Sequence, residues 1–427
     1  MNYTAQQLTL IALCLSCAVA QADDEKWKIH SDIDLFAFSE VVSVNQFATD
    51  FKDDLVSGNT AFTQDKFEIG ARYKSFRISY VARFDYITEF TEDTALFHHS
   101  EKNLIPIPTN REYHLLLEVE RASAQGIKLG YTWDISDRLS LDFAGTYYTS
   151  TSDLQSGFAE ANGDIEPIDD ALITDFNAVT EGLTVDNRDL SPLIALASDI
   201  RLNVNINYAY DQPKFGEKFY RKPVILGEPN PIISGIDFSE PEGTGYSFDF
   251  SIAWQATEKF NISADFIDLG YKITWKNAPQ SIARLVLNDA IVDAIGVAQD
   301  FVNGEIILPN EIVDRQLLVD IFNADYEQTI PWRADVNASW QLDRQANLFG
   351  WQPNILLLGG FYHTSVKDFP LIGVGLNDTL QFLYDFGGKA IHLNYQGKYG
   401  FAKLIADKFD TKKAHTLGIA IGTNIRF

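Results

Sequence analysis

Residues 246–254 read YSFDFSIAW, a stretch in which large apolar side chains alternate with polar or small ones at every step. The apolar members are Tyr246, Phe248, Phe250, Ile252 and Trp254. Because successive side chains of a β-strand point to opposite faces, this period of two predicts a strand with one continuous apolar face. Such a face has to be buried against another apolar surface.

The same alternation recurs along the chain, in FRISYVARFDY (76–86), IRLNVNINYAY (200–210), WRADVNASW (332–340) and LGIAIGTNIRF (417–427). Many of these stretches run for roughly 9–11 residues, which is the length that a tilted strand needs to cross a bilayer. A soluble β-sandwich also alternates in this way. Strand length, together with the aromatic residues at the strand ends, favours the membrane interpretation.

Tryptophans mark the ends of several apolar stripes. Trp133, Trp254 and Trp340 each precede a short polar connection, while Trp275 and Trp332 lie at the far ends of neighbouring stripes. Eight steps from Tyr246 to Trp254, tilted by about 40°, rise roughly 20 Å, close to the ~25 Å apolar band of a membrane barrel. These five tryptophans are therefore predicted to lie at the two membrane interfaces.

Composition excludes several classes of function. The 427 residues carry a formal charge of -25, so a nucleic-acid partner is not expected. Residues 1–22 contain a short apolar run that ends in Ala20-Gln21-Ala22, the pattern of a cleaved signal peptide, and they include both cysteines. We expect residues 23–427 to form one barrel domain without a metal site or cofactor.

The stripes predict about 14 strands, within a range of 12–16. They fall at 27–38, 65–74, 76–87, 111–133, 139–149, 200–210, 214–226, 246–255, 260–275, 330–340, 354–363, 371–385, 390–399 and 415–427. The stretch 111–133 is counted once, because its apolar residues keep one parity throughout. In 260–275 the apolar face changes parity near Ile267, which indicates a β-bulge.

Taken together, the signal peptide, the amphipathic strands, the short turns and the terminal HTLGIAIGTNIRF (415–427) resemble Gram-negative outer-membrane β-barrel proteins. The resemblance covers the whole mature chain and implies an all-β, transmembrane, antiparallel up-and-down barrel in the cell outer membrane. It also implies contact with outer-membrane lipid and lipopolysaccharide, and recognition of the terminal Phe427 by the barrel-assembly machinery. It identifies a class of protein and not a substrate.

If the apolar faces meet lipid, the opposite faces line the lumen. The basic candidates are Arg72, Arg77, Arg83, Lys128, Arg201, Lys272, Arg333 and Arg426. The acidic candidates are Glu68, Asp85, Glu118, Glu120, Asp142, Asp249, Asp265 and Asp335. Equal numbers of the two signs predict paired charges and water in the lumen. Such pairs either stabilise the wall or guide a solute, and the sequence leaves both roles open.

Two acidic stretches, 150–198 and 276–329, are predicted to be long extracellular insertions. In the second, the apolar residues from Leu287 to Val302 follow helical spacing, and another short helix is predicted to begin at Asn310 and to include Leu317 and Phe322. These helices would pack on each other or on the mouth of the barrel as a lid.

No catalytic motif is found, so an enzyme is not expected. A barrel-embedded lipid hydrolase that uses His114 or His392 with a nearby Ser stays open as an alternative. The leading hypothesis is a channel or transporter that carries small molecules of unknown identity across the outer membrane. The fourteen-stranded importers of hydrophobic compounds resemble this chain in strand number, although residues 40–60 lack their Gly-rich hatch motif. The alternative is a closed structural or surface-interaction barrel that transports nothing.

Overall fold

A computed structural model describes residues 27–52, 54–108, 111–165, 202–210, 241–287, 317–346 and 352–426. The predicted signal peptide, Arg201, the predicted strand 214–226 and Phe427 lie outside these residues. None of the helices in the described part of the chain is both long and apolar enough to cross a membrane.

The described residues form sixteen strands and two short helices. The first eight strands are β1 (Trp27–Ser39), β2 (Thr60–Tyr73), β3 (Phe76–Phe90), β4 (Arg111–Ser136), β5 (Leu139–Ile165), β6 (Leu202–Tyr210), β7 (Glu242–Gln255) and β8 (Phe260–Leu287). The others are β9 (Leu317–Thr329), β10 (Arg333–Gln345), β11 (Asn354–His363), β12 (Asp368–Leu376), β13 (Leu380–Asp385), β14 (Ala390–Gln396), β15 (Gly400–Ala406) and β16 (Thr416–Arg426). The helices are α1 (Val44–Ala48) and α2 (Glu92–Asn103).

The strands form one antiparallel sheet that closes on itself. Strand β1 pairs with β16 on one side and β2 on the other, and the ladder continues in chain order to β5. Strands β6 and β7 share one position between β5 and β8, while β9 and β10 share the next position beyond β8. The described strands therefore occupy fourteen positions, which confirms the predicted transmembrane up-and-down barrel of about 14 strands.

The strand count agrees with the prediction although individual strands differ. The stretch 111–133 is one strand, as predicted. The predicted strand 371–385 is two strands, β12 and β13, joined by a turn at 377–379, and β15 had no predicted counterpart. The predicted strands 200–210 and 246–255 share a single wall position. The prediction thus missed two strands, one within 371–385 and β15. Two other predicted strands add no wall position among the described residues, because 200–210 and 246–255 share one position and 214–226 lies outside.

The outer surface of the barrel is an apolar belt. Outward side chains such as Phe76, Leu129, Phe248, Ile372 and Ile421 are about half exposed, although they are large and apolar. An exposed apolar surface of this extent is stable when it contacts hydrocarbon and not water. Closure of the sheet leaves no free strand edge inside the bilayer, as the absence of water there requires.

A double irregularity in β8 changes which face its residues present. Asp268 and Gly270 both have positive φ, 67° and 63°, and the register with β7 shifts there. Beyond this bulge, Tyr271 and Trp275 turn inward and are fully buried. The expectation that Trp275 lies at a membrane interface is therefore wrong, because the bulge was predicted but its effect on side-chain direction was not.

The predicted insertions are partly barrel wall. Strand β5 continues to Ile165, β8 continues to Leu287, and β9 occupies Leu317–Thr329. The helix predicted from Asn310 through Phe322 is thus wrong from Leu317 onward, and the rest of it, like the predicted helix after Leu287, lies outside the described residues. The described helices instead follow β1 and β3.

Helix α2 covers one edge of β4. Its N-cap Thr91 accepts a hydrogen bond from the Thr94 backbone N–H, and the Thr94 hydroxyl donates to the Leu116 carbonyl oxygen. A small buried cluster lies at the same end of the barrel as the two helices and contains Val41, Val42, Phe51, Phe90 and Ala95. The two helices therefore help to cover the loop end of the barrel. The opposite end carries Trp27 and Arg426, the first and last described residues, which we refer to as the chain termini.

Substitution of Gly270 tests the bulge. Valine at a position with φ of +63° should cost roughly 1–2 kcal/mol of unfolding free energy, because a β-branched side chain is strained in the left-handed region. Gly359→Val is the control, since an added Cβ meets no atom within 4 Å at either position and Gly359 does not have a positive φ. Urea unfolding in lipid vesicles measures both, and equal stability of the two variants would contradict the assigned backbone conformation.

Candidate functional site

The barrel encloses two adjacent chambers on the side of the chain termini. One has a volume of about 680 Å³ and the other about 940 Å³. Lys66, Ile267, Arg333 and Asp335 line both of them. The first chamber reaches the β4–β5 turn and the second the β14–β15 turn, so both extend to the end of the barrel that carries the chain termini.

Ion pairs line the larger chamber. Arg77 Nη2 lies 2.8 Å from Asp142 Oδ1, and Lys128 Nζ lies 2.5 Å from Asp249 Oδ2. On the adjacent strands β1 and β2, Lys66 Nζ is 3.3 Å from an Asp32 carboxylate oxygen. Each cation lies beside a carboxylate one or two wall positions away, so the chamber is polar without being dominated by one sign of charge.

Arg83 is the centre of a buried cluster that joins strands on different sides of the barrel. Its Nε donates to Asp85 Oδ2 at 2.7 Å, and its Nη2 donates to Asp268 Oδ2 at 3.0 Å. Arg333 Nε lies 3.1 Å from the same Asp268 oxygen, and the Arg83 guanidinium stacks 4.5 Å from the Tyr271 ring centroid. Removing one member would leave buried charges unpaired, so the cluster acts as a unit.

An aromatic plug lies between the chambers and the loop end. We define it as Phe36, Phe38, Phe62, Tyr362 and Phe369, contributed by β1, β2, β11 and β12. The ring centroids of Phe38 and Phe369 are 5.3 Å apart, and those of Phe36 and Tyr362 are 5.9 Å apart. These contacts cross the lumen, because four strands separate β12 from β1 along the wall. The Tyr362 hydroxyl donates to Gln64 Oε1 at 2.6 Å.

The apolar cluster continues from the plug to the opposite wall. Buried Tyr148, Tyr271, Ile273, Trp275 and Ile330 extend it on β5 and β8 and at the junction of β9 with β10. Among the described residues, side chains therefore fill the lumen from wall to wall at this level. Side chains do not fill the two chambers, which lie between this level and the end of the chain termini.

The sequence-predicted lumen residues lie in several places. Those that line one or both chambers are Arg77, Arg83, Asp249, Asp265, Arg333 and Asp335, with Glu68, Lys128 and Asp142. Asp85 is buried against Arg83, Arg72 is half-buried near the β2–β3 turn, and Glu118 is exposed towards the loop end. The prediction that Lys272 lines the lumen is wrong, because the β8 bulge places it on the outer face opposite Tyr246. Arg201 lies outside the described residues.

The predicted interface tryptophans other than Trp275 lie on the outer surface. Trp133, Trp254, Trp332 and Trp340 are each about half exposed. Their role as membrane anchors remains a prediction.

Sequence reasoning missed Asp268, which pairs with both arginines of the cluster. The parity change near Ile267 was the available signal, since a bulge places two adjacent residues on unusual faces. It also missed Gln328, whose side chain accepts from the Trp275 indole N–H at 3.0 Å and donates to Glu120 Oε2 at 2.9 Å. In the described part of the chain, no group of three or more potential metal ligands occurs.

Glu120 lies above the membrane belt, because it is 13 residues along β4 from the exposed Trp133 near the β4–β5 turn. At about 3.3 Å per residue and a tilt of about 40°, this distance is roughly 33 Å along the barrel axis, which exceeds the ~25 Å apolar band. The Glu120 carboxylate accepts from Ser156 Oγ at 2.8 Å as well as from Gln328. Burial nevertheless raises the pKa of Glu120 to about 7, and the nearby Glu118 adds to the increase. The two hydrogen bonds only partly offset the cost of burying the charge.

This raised pKa predicts that stability depends on pH. As pH rises from about 4.5 to about 7, the folded barrel loses stability because Glu120 has to ionise in a buried site. Glu120→Gln should remove that dependence and raise the free energy of unfolding at pH 8 by about 2–3 kcal/mol. Chemical unfolding at pH 5 and pH 8 measures the effect, with Glu258→Gln in the exposed β7–β8 turn as the control. A pH dependence that is unchanged in the Glu120 variant would contradict the assignment.

Comparison with solved structures finds other outer-membrane barrels at low similarity. The Pseudomonas putida toluene transporter TodX is 9% identical, with 95% of this chain and 91% of that chain covered and a TM-score of 0.33. The Ralstonia pickettii toluene transporter TbuX is 8% identical, with 95% and 90% covered and a TM-score of 0.28. The translocator domain of the Neisseria meningitidis autotransporter NalP is 6% identical, with 99% and 97% covered and a TM-score of 0.29. Similarity at this level carries no information about cargo.

None of the curated proteins matches the sequence. A family profile does match, over residues 31–423, and its description is "Family of unknown function (DUF5723)". The match includes all of β2 to β15 and most of β1 and β16. The chain therefore belongs to the DUF5723 family.

Proposed function

We propose that this protein is an outer-membrane transporter or gated channel for small molecules and that the aromatic plug closes its lumen. The hollow, charge-lined chambers carry the proposal, with volumes of about 680 and 940 Å³. A barrel with only a structural role gains nothing from keeping this space open, because filling it with apolar side chains would add buried contacts.

The proposed gate consists of side chains and not of backbone. Phe62 and Phe369 are each 1% exposed and touch across the lumen with ring centroids 6.0 Å apart. Aromatic rings can change rotamer without breaking strand hydrogen bonds, so the plug can open while the wall stays intact. A solute that enters from the side of the termini would first meet paired charges and then this apolar barrier.

The chemistry of the chambers favours small polar or mixed-polarity solutes. Because most of the cations face carboxylates at 2.5–3.4 Å, the field along the path has no dominant sign. Strong selectivity between anions and cations is therefore not expected. We place the protein in the outer membrane of a Gram-negative cell, after export by the predicted signal peptide. Lipopolysaccharide and the barrel-assembly machinery are its proposed partners.

A closed structural barrel is the second candidate. The Arg83 cluster favours it, because it ties β3, β8 and β10 together across the lumen by buried ion pairs. Such cross-links resist the wall movements that a wide pore would need. The two candidates differ in whether removal of the plug alone is enough to open a path.

Single-channel recording in planar bilayers tests the proposal. Phe62→Ala with Phe369→Ala should raise single-channel conductance by about tenfold or more over the wild-type chain, because both rings leave the lumen. The control is Phe361→Ala with Phe382→Ala, which removes two rings from the lipid-facing surface and should leave conductance unchanged.

Retention of the SDS-resistant, fast-migrating form on gels of unheated samples shows that each variant is folded. If the single variant Phe369→Ala and the double variant are both folded and electrically silent, the transport proposal is wrong and the structural role stands. Equal conductance increases in the lumen and lipid-facing variants would also contradict a specific plug.

A further inference from the structure

A patch of leucines lies inside the first chamber, next to the aromatic plug. Leu358 on β11, Leu371 on β12 and Leu383 on β13 line this chamber and pack together. Glycines occupy the inward positions beside them. Gly360 adjoins Leu371 in one cross-strand row, and Gly373 separates Leu358 from Leu383 in the next row. Because glycine adds no side chain, the patch is shallow, and we call these residues the leucine floor.

Polar side chains frame the leucine floor on two sides. On β10 the frame consists of Asn337 and Ser339, and on β13 and β14 it consists of Asp385 and His392. Each of them is the direct cross-strand neighbour of a floor residue. Rows that differ by two residues along a strand are about 6.6 Å apart, so the floor has a polar group at each corner.

One side of the frame has hydrogen-bonding capacity that the described residues do not use. Asp385 is fully buried, and its Oδ1 accepts from the Gly387 and Gly388 backbone N–H groups at 2.8 and 3.1 Å. Among the described residues, neither Asp385 Oδ2 nor His392 Nε2 has a hydrogen-bond partner. The two atoms are 3.6 Å apart, which is too far for a hydrogen bond between them.

A hydroxyl group would satisfy both of these atoms, because it can donate to the carboxylate and accept from the imidazole N–H. Both atoms are enclosed by the wall, and a small rotation of either side chain would turn them towards the chamber. Buried polar groups without partners are unusual in folded proteins and are costly to leave unpaired. They therefore mark the side of the chamber where a hydroxyl-bearing solute gains most.

The whole arrangement fits a hydroxylated ring. A sugar ring has apolar C–H faces and a rim of hydroxyl groups that both donate and accept, so one face would contact the floor while the rim reaches the frame. A hydrocarbon would cover the floor and leave the frame unpaired, whereas a small ion would leave the floor uncovered. Tyr362 and Phe369 also line the chamber, and they offer aromatic contact to the same solute.

We propose that the leucine floor and its polar frame bind a mono- or disaccharide. The first chamber has a volume of about 680 Å³, which lies within the roughly 300–1,000 Å³ of small-molecule sites. As a statement about cargo, this inference rests on the proposed transport function, because it names the class of solute that reaches the plug. Binding itself does not require the plug to open.

Saturation-transfer difference NMR of the full-length barrel tests this site, in a detergent without a sugar headgroup. The probes are D-glucose, D-galactose, D-mannose and maltose. At least one of them should receive saturation, most strongly at its ring C–H protons. Asp385→Asn and His392→Leu should each weaken the affinity for that sugar by about tenfold or more, because each removes a partner of a hydroxyl group. Asparagine retains the Oδ1 atom that accepts from Gly387 and Gly388, so the turn is preserved.

Ser140→Ala is the matched control, because Ser140 lines the same chamber on β5, away from the leucine floor. It should bind the sugar as the wild-type chain does. Absence of saturation transfer to every sugar, unchanged affinity in both frame variants, or an equal loss in the control would overturn the proposal. Cyclohexylamine supplies a cationic ring without hydroxyl groups, and tighter binding of this probe than of any sugar would also overturn it.

Failure of this inference differs from failure of the transport proposal. Sugar binding by plug variants that are folded and electrically silent would support this site and refute transport. A conductance increase in the plug variants without sugar binding would overturn this inference alone. Ser339→Ala removes one hydroxyl of the frame on β10 and should also weaken sugar binding, so it tests the site even if the Asp385 variant does not fold.

Discussion

The structure depends on one constraint: inside a bilayer no water is available to satisfy backbone N–H and C=O groups. A sheet can meet this constraint only if it closes, and closure of β1 against β16 and of β8 against β10 does so here. Closure in turn creates an outside and an inside, so every strand has to be apolar on one face. The belt, the lumen and the alternation in the sequence are three consequences of the same requirement.

The interior departs from the simplest form of this rule, and the departure bears on function. A lumen full of water would favour polar side chains, yet Phe36, Phe38, Phe62 and Phe369 point inward and are buried. Below them the chambers are charged and hollow. An apolar barrier that adjoins a polar chamber is what a closed gate requires, and it also stabilises the barrel by burying aromatic surface. The proposed gating role and the stabilising role follow from the same side chains.

Periodicity predicted the fold class and most of the wall, and its failures have physical causes. The hairpin between β12 and β13 was missed because its three-residue turn preserves parity, so Ile372, Val374, Phe382 and Tyr384 all face outward in one apparent stripe. Asn377 and Asp378, both of residue types that favour turns, were the local sequence signal, and Asn377 has a φ of 51° in the structure. In the lumen, parity predicted the positions of the chamber-lining charges, and the positive φ values at 268 and 270 caused the errors at Trp275 and Lys272. The plug was not predictable, because contacts between strands distant in the chain do not appear in a local pattern.

The central claim is that hydrocarbon contacts one face of each strand and that the other face lines the lumen. The most direct test is electron paramagnetic resonance of single spin labels at positions 76–82 on β3, in lipid vesicles, with Cys14 and Cys17 absent from the background. Even positions should be accessible to dissolved oxygen and protected from a water-soluble nickel chelate. Odd positions should show low oxygen accessibility, giving a period of two. Loss of this alternation, or access of the nickel chelate to the even positions, would contradict the account.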